Sequence, residues 1–126
     1  MSWEIEFHDD YSNEFDELPQ AVQIELLALL ELLASEGPEL SRPHADTLKG
    51  SKHANMKELR FTVSGGVWRV AFAFDPARRA ILLVGGNKSG VKEKRFYKVL
   101  IKTADARFDA HIEDLKNDSQ PKGQIG

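Results

Sequence analysis

Three strand-like segments follow one another in the middle of the chain, and they limit the folds available to it. The segments MKELRFTV (56–63), VWRVAFAF (67–74) and AILLVGG (80–86) are rich in β-branched and aromatic residues, and only short turns separate them. Short connections favour antiparallel pairing, because a parallel pair needs a crossover of a dozen or more residues. The third segment is apolar on both faces, which favours a central position in the sheet.

The region before these strands combines one further strand pattern with helical periodicity. Residues 3–7 (WEIEF) alternate apolar and acidic side chains, as in a half-buried strand, and Asp9-Asp10 can cap a short helix after it. Pro19 suits the first turn of a longer helix over residues 20–35. The stripe of that helix is Val22, Leu26, Leu29, Leu30 and Leu33, and Ile24 and Leu27 widen it enough to predict cover on two sides.

After the strands, apolar residues three or four positions apart predict one last helix, over residues 95–115. Residues 38–55 are rich in Pro, Ser, His and Gly and are interpreted as a loop. The resulting order, β-α-α-β-β-β-α, predicts an α+β fold in which helices pack on an antiparallel sheet. A length of 126 residues supports one core, so we expect a single domain over 1–116 and a flexible C-terminal tail over 117–126.

Composition excludes several classes of protein. The chain has no cysteine, which excludes a disulfide scaffold, a thiol nucleophile and a Cys-ligated zinc site. No apolar run approaches the length of a membrane span, and the first ten residues are acidic, so we expect a cytoplasmic protein with no membrane partner. The four histidines lack the spacing of metal ligands, so neither a metal nor any other cofactor is predicted.

Charge is distributed very unevenly along the chain. Residues 1–46 carry twelve acidic residues and one basic residue, a balance of -11, whereas residues 47–104 carry thirteen basic and three acidic residues, a balance of +10. Such asymmetry is typical of a protein with one surface that meets a polyanion, although solvated charged faces alone would give the same counts.

The hairpin formed by the first two central strands predicts where some of the positive charge lies. A turn at Gly65-Gly66 would pair Phe61 with Val70 and place the large apolar residues of both strands on one face. Arg60 and Arg69 then lie on the opposite face as diagonal cross-strand neighbours, close enough to act on one anion. Small residues beside them, Ala71 and Ala73, are expected to leave room for a ligand.

More basic residues surround the hairpin, together with a phenol and an imidazole that can stack on a base or move a proton. This combination favours RNA binding and is compatible with RNA cleavage, since fixed guanidinium groups stabilise the extra charge of a pentacoordinate phosphate. Glu58 is a possible base but is expected to pair with a neighbouring arginine. The surrounding residues are Lys49, Lys52, His53 and Lys57 before the hairpin and Lys88, Lys92, Lys94, Arg95 and Tyr97 after it.

Four segments resemble the RelE/ParE superfamily of bacterial toxins, and in particular its phage-related HigB-like (Gp49-like) branch. They are LKGSKHANMKELR (48–60), WRVAFAFDP (68–76), ILLVGGNKSG (81–90) and RFY (95–97). The resemblance implies a compact RelE-like α+β fold. It also implies the toxin of a type II toxin-antitoxin system, acting as a metal-independent endoribonuclease that cuts mRNA in the ribosomal A site by attack of the 2′-hydroxyl group. The partner it implies is a helix-turn-helix, HigA-like antitoxin.

The resemblance also assigns roles to residues of this chain. Arg69 matches the arginine that stabilises the transition state, Lys88 a second basic catalytic residue and Tyr97 the tyrosine that stacks on the cleaved nucleotide. Arg60 completes the predicted catalytic set, and it shares the contacts with mRNA and ribosomal RNA. The residues predicted for RNA or ribosome contacts alone are Lys49, Lys52, His53, Lys57, Lys92, Lys94 and Arg95.

Two other functions remain open at this point. ParE-type members of the superfamily share the fold but inhibit DNA gyrase without cutting RNA, and a degenerate member would only bind its antitoxin. The presence of Arg60, Arg69, Lys88 and Tyr97 together favours the nuclease.

Overall fold

Strands and helices occupy most of residues 2–118, the part of the chain that the computed structural model describes. The flexible tail expected over residues 117–126 overlaps the last helix, which continues to Asp118, and the remainder of that prediction lies outside the described residues. The strands are β1 (Glu4–Phe7), β2 (Ala45–Thr47), β3 (Met56–Val63), β4 (Gly66–Phe74) and β5 (Arg79–Asn87). The helices are α1 (Asp9–Asp16), α2 (Gln20–Glu36) and α3 (Glu93–Asp118), with a 3-10 turn at Gly37–Glu39 after α2.

The five strands form one mixed sheet in the order β1-β5-β4-β3-β2. This confirms the α+β class but corrects the antiparallel sheet, because β1 runs parallel to β5, from Glu4 opposite Arg79 to Phe7 opposite Leu82. The intervening helices and strands supply the long crossover that a parallel pair requires. Strand β2, which pairs with β3 and was missed within the predicted loop, is only three residues long and shows no alternation that a sequence pattern could reveal.

The turn between β3 and β4 lies one residue earlier than predicted. Ser64 and Gly65 have positive φ angles of 49° and 82°, as both central residues of a type I′ turn require, so Val63 pairs with Gly66. The predicted pairing of Phe61 with Val70 is therefore wrong, and Phe61 lies opposite Trp68. The pairing shifts by one residue on each strand, which is two residues in total. Side chains alternate between the two faces with a period of two, so the same side chains still share each face of the sheet.

Helices cover both faces of the sheet. On one face, Tyr11 of α1 and the predicted stripe of α2 pack on residues such as Leu59 and Phe72. On the other face, α3 places Leu100, Ala104 and Phe108 against β3, β4 and β5. Ala71 and Ala73 belong to this second core and are fully buried, so the room predicted beside them for a ligand is filled by α3.

Two details of the first helices differ from expectation. The cap of α1 is His8, whose Nδ1 accepts a hydrogen bond from the backbone N–H of Asp10, while Asp9 and Asp10 form the first turn. Ile24 and Leu27 are 59% and 49% exposed, so α2 is covered on one side only by the residues that the structure describes.

A buried carboxylate joins α3 to the ends of β4 and β5. Asp75, whose side chain is fully buried, accepts hydrogen bonds from Arg79 Nε at 3.1 Å and Nη2 at 3.0 Å, and its Oδ2 lies 2.8 Å from His111 Nε2. Burial acts to raise the pKa of Asp75, but the hydrogen bonds from His111 and Arg79 outweigh it and hold that pKa below its usual value. Asp75 is therefore ionised in the folded protein at neutral pH.

Within residues 2–118, none of the helices combines the length and apolarity needed to cross a bilayer.

Candidate functional site

Arg60 and Arg69 lie directly opposite each other on β3 and β4, at the face that also receives the start of α3. The backbone N–H of Arg60 points away from β4, because it donates to the carbonyl of His44 at 2.9 Å. Arg60 and Arg69 are therefore a non-hydrogen-bonded pair, the type in which opposite side chains approach most closely. The sequence predicted this neighbourhood, and the actual register makes the pair direct instead of diagonal.

Glu58 compensates the repulsion between the two guanidinium groups. Its carboxylate is buried, it accepts a 2.8 Å hydrogen bond from Arg60 Nη1, and it lies 3.8 Å from Arg69 Nε. The expected pairing of Glu58 with an arginine is therefore confirmed. The signal is local, since residues two positions apart on a strand share a face. Unlike the arginines, Glu58 was not placed in the predicted catalytic set, although it is central to the cluster.

Tyr97, in the first turns of α3, completes the cluster. Its hydroxyl donates a 2.8 Å hydrogen bond to Glu58 Oε1 and accepts one of 3.2 Å from Arg69 Nε. Burial and the hydrogen bond to the Glu58 carboxylate raise the pKa of Tyr97, and Arg69 offsets only part of this effect. Tyr97 is thus a hydrogen-bond donor at neutral pH and cannot serve as a general base.

We expect the tyrosine hydroxyls of the folded protein to ionise late. The chain has two tyrosines, and burial also raises the pKa of Tyr11. Titration at the tyrosinate absorbance band should show less than half ionisation near pH 10 in the folded protein and about half in urea, because an unperturbed tyrosine has a pKa of about 10. Their raised pKa values stabilise the fold below that pH, and this contribution is lost as pH rises through the folded values. Equal titration curves in both states would contradict the geometry of the Tyr97 cluster.

Lys88 lies at the end of β5, beside the same tyrosine. Its Nζ is 5.7 Å from the centroid of the Tyr97 ring and forms a 2.6 Å ion pair with Glu93 Oε1. This pair lowers the pKa of the exposed Glu93 carboxyl. The end of a sheet strand and the start of a helix therefore place the ammonium group of Lys88 within reach of a ligand bound at Tyr97.

A groove of about 460 Å³ opens over this cluster. It brings together three of the four predicted catalytic residues, Arg60, Lys88 and Tyr97, with Glu58. Arg69 is almost fully buried beneath them, and it donates hydrogen bonds to the Tyr97 hydroxyl and to the carbonyl of the preceding residue, Trp68. The other charged residues that line the groove are Lys49 and Lys94, as predicted, and Arg42, Asp46 and Glu93, which the sequence analysis did not include.

Two predicted RNA-binding residues lie away from the groove, against the middle of α3. Lys52 forms an ion pair with Asp109, and His53 Nε2 lies 2.8 Å from Asp109 Oδ1. The pair with Asp109 raises the pKa of the exposed Lys52 ammonium group. The sequence could not place Asp109 beside them, because 56 positions separate it from His53.

The remaining three predicted RNA-binding residues are spread over other surfaces. Lys57 lies on the face of β3 opposite to Glu58, and its Nζ donates to the carbonyls of Pro38 and Leu40 at 3.2 and 3.4 Å. Lys92 lies in the turn before α3. Arg95 borders a separate, mainly apolar groove of about 250 Å³ beside α3.

The groove is suited to bind a phosphate group. Arg60, Lys88 and the neighbouring lysines line it and can balance the charge of a bound phosphate. These donors are held in place before a ligand arrives, because each of the central ones already has a hydrogen-bond partner. Preorganised donors of this kind stabilise charge that develops in a transition state.

Comparison with known proteins links this geometry to one family. Residues 13–109 match the family described as phage-derived protein Gp49-like. Two relatives from Mycobacterium tuberculosis (strain ATCC 25618 / H37Rv) are named putative toxin HigB2 and putative toxin HigB3. The first is 46% identical over 98 residues, which cover 77% of this chain and 48% of the relative. The second is 50% identical over 80 residues, which cover 64% of this chain and 68% of the relative. The chain thus spans about half the length of the first relative.

A solved structure has the same fold. It is that of a double-arginine mutant of the E. coli toxin RelE in the free state, with a TM-score of 0.59 and 14% sequence identity over 81% of this chain and 96% of that one. The expected RelE-like architecture is confirmed by this match.

Proposed function

This chain belongs to the Gp49-like family of phage-derived proteins, and from that membership we propose that it is the toxin of a toxin-antitoxin system and inhibits translation by cleaving mRNA on the ribosome. The observation that carries the proposal is the Arg60-Arg69 pair joined to Tyr97 through Glu58, beneath a groove lined with basic residues. Two guanidinium groups held beside a basic groove favour a nuclease over a protein that only binds a partner.

The proposed reaction is internal transfer of the phosphodiester. The 2′-oxygen forms a bond to phosphorus and the bond from phosphorus to the 5′-oxygen breaks, which leaves a 2′,3′-cyclic phosphate and a 5′-hydroxyl group. The guanidinium group of Arg60 moves from Glu58 to the phosphate. Arg69, which lies beneath the groove, stabilises the negative charge of the pentacoordinate phosphate through Tyr97.

The same contacts support proposed roles in proton transfer. Lys88, beside the Tyr97 ring, gives a proton to the departing 5′-oxygen. Glu58, once released by Arg60, takes the proton from the 2′-hydroxyl group. Tyr97 stays protonated because of its raised pKa, and it positions Glu58 and the base of the cleaved nucleotide.

We further propose that the active protein works in the cytoplasm, that the ribosomal A site holds the codon to be cut, and that a helix-turn-helix antitoxin of the HigA type neutralises the toxin. Ribosome dependence follows from charge, since residues 1–46 carry a balance of -11 and attract a free polyanion poorly. A codon held and bent in the A site supplies the orientation that flexible RNA lacks.

The test compares one message under two conditions at equal protein concentration. Primer extension should show cuts within codons when the message is translated by ribosomes and almost none when it is naked, because orientation can be worth several orders of magnitude in rate. Equal cutting in both conditions would indicate a free-standing ribonuclease. Absence of cutting in both, together with inhibition of DNA gyrase, would replace the proposal with the ParE-type function.

A further inference from the structure

A second groove, of about 570 Å³, lies around the outer edge of β3. Ala28, Leu29 and Leu32 of α2 line it on one side and Phe61 and Thr62 of β3 on the other, and Arg60 and Arg69 also line it. We propose that this groove binds an extended segment of the antitoxin, with alternating apolar and acidic side chains, as an additional strand next to β3. This inference rests on the proposed function for the identity of the partner.

The backbone of β3 provides the first argument. Strand β2 pairs only with residues 57–59, and the last backbone bond along this edge in the described part of the chain joins Arg60 N–H to the carbonyl of His44. Strand β3 continues to Val63, and backbone groups alternate in direction along a strand. The carbonyl of Arg60 and both backbone groups of Thr62 therefore face outward, where a strand from another chain can pair with them.

The two faces of such a strand would meet different surfaces. Side chains alternate across a strand, so every second residue of the partner would point towards Leu29, Leu32 and Phe61, and the others towards Arg60 and Arg69. The first set must be apolar, and the presence of Glu25 on that wall further disfavours an acidic side chain there. The second set gains from negative charge, because it approaches two guanidinium groups.

Occupation of this groove would also regulate the catalytic groove. Arg60 lines both grooves, so an acidic side chain that holds it from the β3 edge withdraws it from the phosphate. One docked segment thus combines apolar burial, backbone hydrogen bonds and loss of a catalytic contact. This explains how an antitoxin could disable the enzyme without filling the catalytic groove itself.

The probe is a synthetic peptide, acetyl-Val-Glu-Val-Glu-Val-Glu-Val-amide, and the reversed-charge peptide with Lys in place of Glu is its control. Added to the ¹⁵N-labelled full chain, the acidic peptide should shift the amide resonances of residues 60–63 and of the α2 wall. The lysine peptide should bind at least about tenfold more weakly, because its charge opposes Arg60 and Arg69.

A pair of variants isolates the backbone contribution. Thr62→Pro removes an N–H that faces away from β4, whereas Thr62→Ala keeps it, and proline is tolerated on an edge in this orientation. Thr62→Pro should weaken binding of the acidic peptide about tenfold and Thr62→Ala should leave it unchanged, since one lost hydrogen bond has about this effect on affinity. Thermal unfolding of both variants checks that the fold is kept, and Ala28→Glu, which places a charge in the apolar wall, is a second variant that should also weaken binding.

Three results would overturn the inference: equal affinity for the two peptides, shifts confined to β1 or β5, or the same shifts of the α2 wall caused by protein concentration alone. Cleavage on ribosomes is measured separately with the Thr62 variants, which should cut as the unaltered chain does. If the peptide binds as expected but no variant cleaves RNA, the proposed function fails and the docking surface stands.

Discussion

Replacement of Arg69 by alanine is expected to lower ribosome-dependent cleavage about a hundredfold or more, the usual cost of about 3 kcal/mol for one transition-state contact. Arg69 lies directly opposite Arg60 and holds the Tyr97 hydroxyl through its Nε. Its loss removes positive charge from beneath the groove and releases Tyr97 from one of two partners. Primer extension on translating ribosomes measures the effect.

This variant must also be tested for folding. Arg69 lies on the sheet face opposite to the core formed with α1 and α2, and from this position alone alanine would be expected to leave the fold intact. The side chain is nevertheless buried and is hydrogen-bonded to Tyr97 and to the carbonyl of Trp68. Arg79→Ala is the matched control, since it breaks an ion pair at the far end of the sheet. At a temperature where both variants are folded, Arg79→Ala should cleave normally, and full activity of Arg69→Ala would contradict the assigned site.

Asp75→Asn is expected to lower the free energy of unfolding by about 3 kcal/mol, because removal of one member of a buried ion pair leaves the others uncompensated. Asp75 bonds both Arg79 and His111, which belong to β5 and α3. Asp46→Asn is the control, since its ion pair with Arg42 is exposed and should contribute little to stability. Urea unfolding at pH 7 compares the variants, and equal losses would show that burial of Asp75 has no energetic consequence.

The pH dependence of this difference follows from the lowered pKa of Asp75. A carboxyl group whose pKa is lower in the folded state stabilises the protein above its unfolded value, which is near 3.8. The contribution of the Asp75 carboxylate to the gap in stability between the unaltered chain and Asp75→Asn should therefore be fully present above that unfolded value. It should shrink as the pH falls below 3.8 and through the folded value.

Elements whose evidence is local could be predicted from the sequence. The stripe of α2 and the two faces of the β3-β4 hairpin depend on periodicity within a few residues, and the five stripe residues are buried as expected. The hairpin register could not be fixed in the same way, since turns at Ser64-Gly65 and at Gly65-Gly66 keep the same faces. The parallel pairing of β1 with β5 was missed because it joins segments about 75 positions apart, a contact set by tertiary packing.

In the candidate site, too, the local contacts could be predicted from the sequence and the long-range contacts could not. Arg60, Arg69 and Glu58 lie on one face of two adjacent strands, which strand alternation alone predicts. Tyr97 reaches them because the start of α3 packs on the sheet, and Lys88 follows the end of β5. Their place near the hairpin in the sequence and their resemblance to family positions indicated this only in outline. Lys52 and His53 appear to belong with the other basic residues when only the sequence is considered, but Asp109 holds them on the flank of α3. Counts of charged residues along the sequence do not reveal ion pairs with acidic residues that are distant in the chain.

The position of Tyr97 at the start of the last helix has a consequence for biosynthesis. A chain emerges from the ribosome with its N-terminus first, so Arg60 and Arg69 appear well before Lys88 and Tyr97. Until α3 has emerged and packed on the sheet, the groove has no wall on that side and Tyr97 cannot hold Glu58. A nascent chain therefore lacks the complete site until α3 has been made, and the ribosome that makes it is not exposed to the complete site before then.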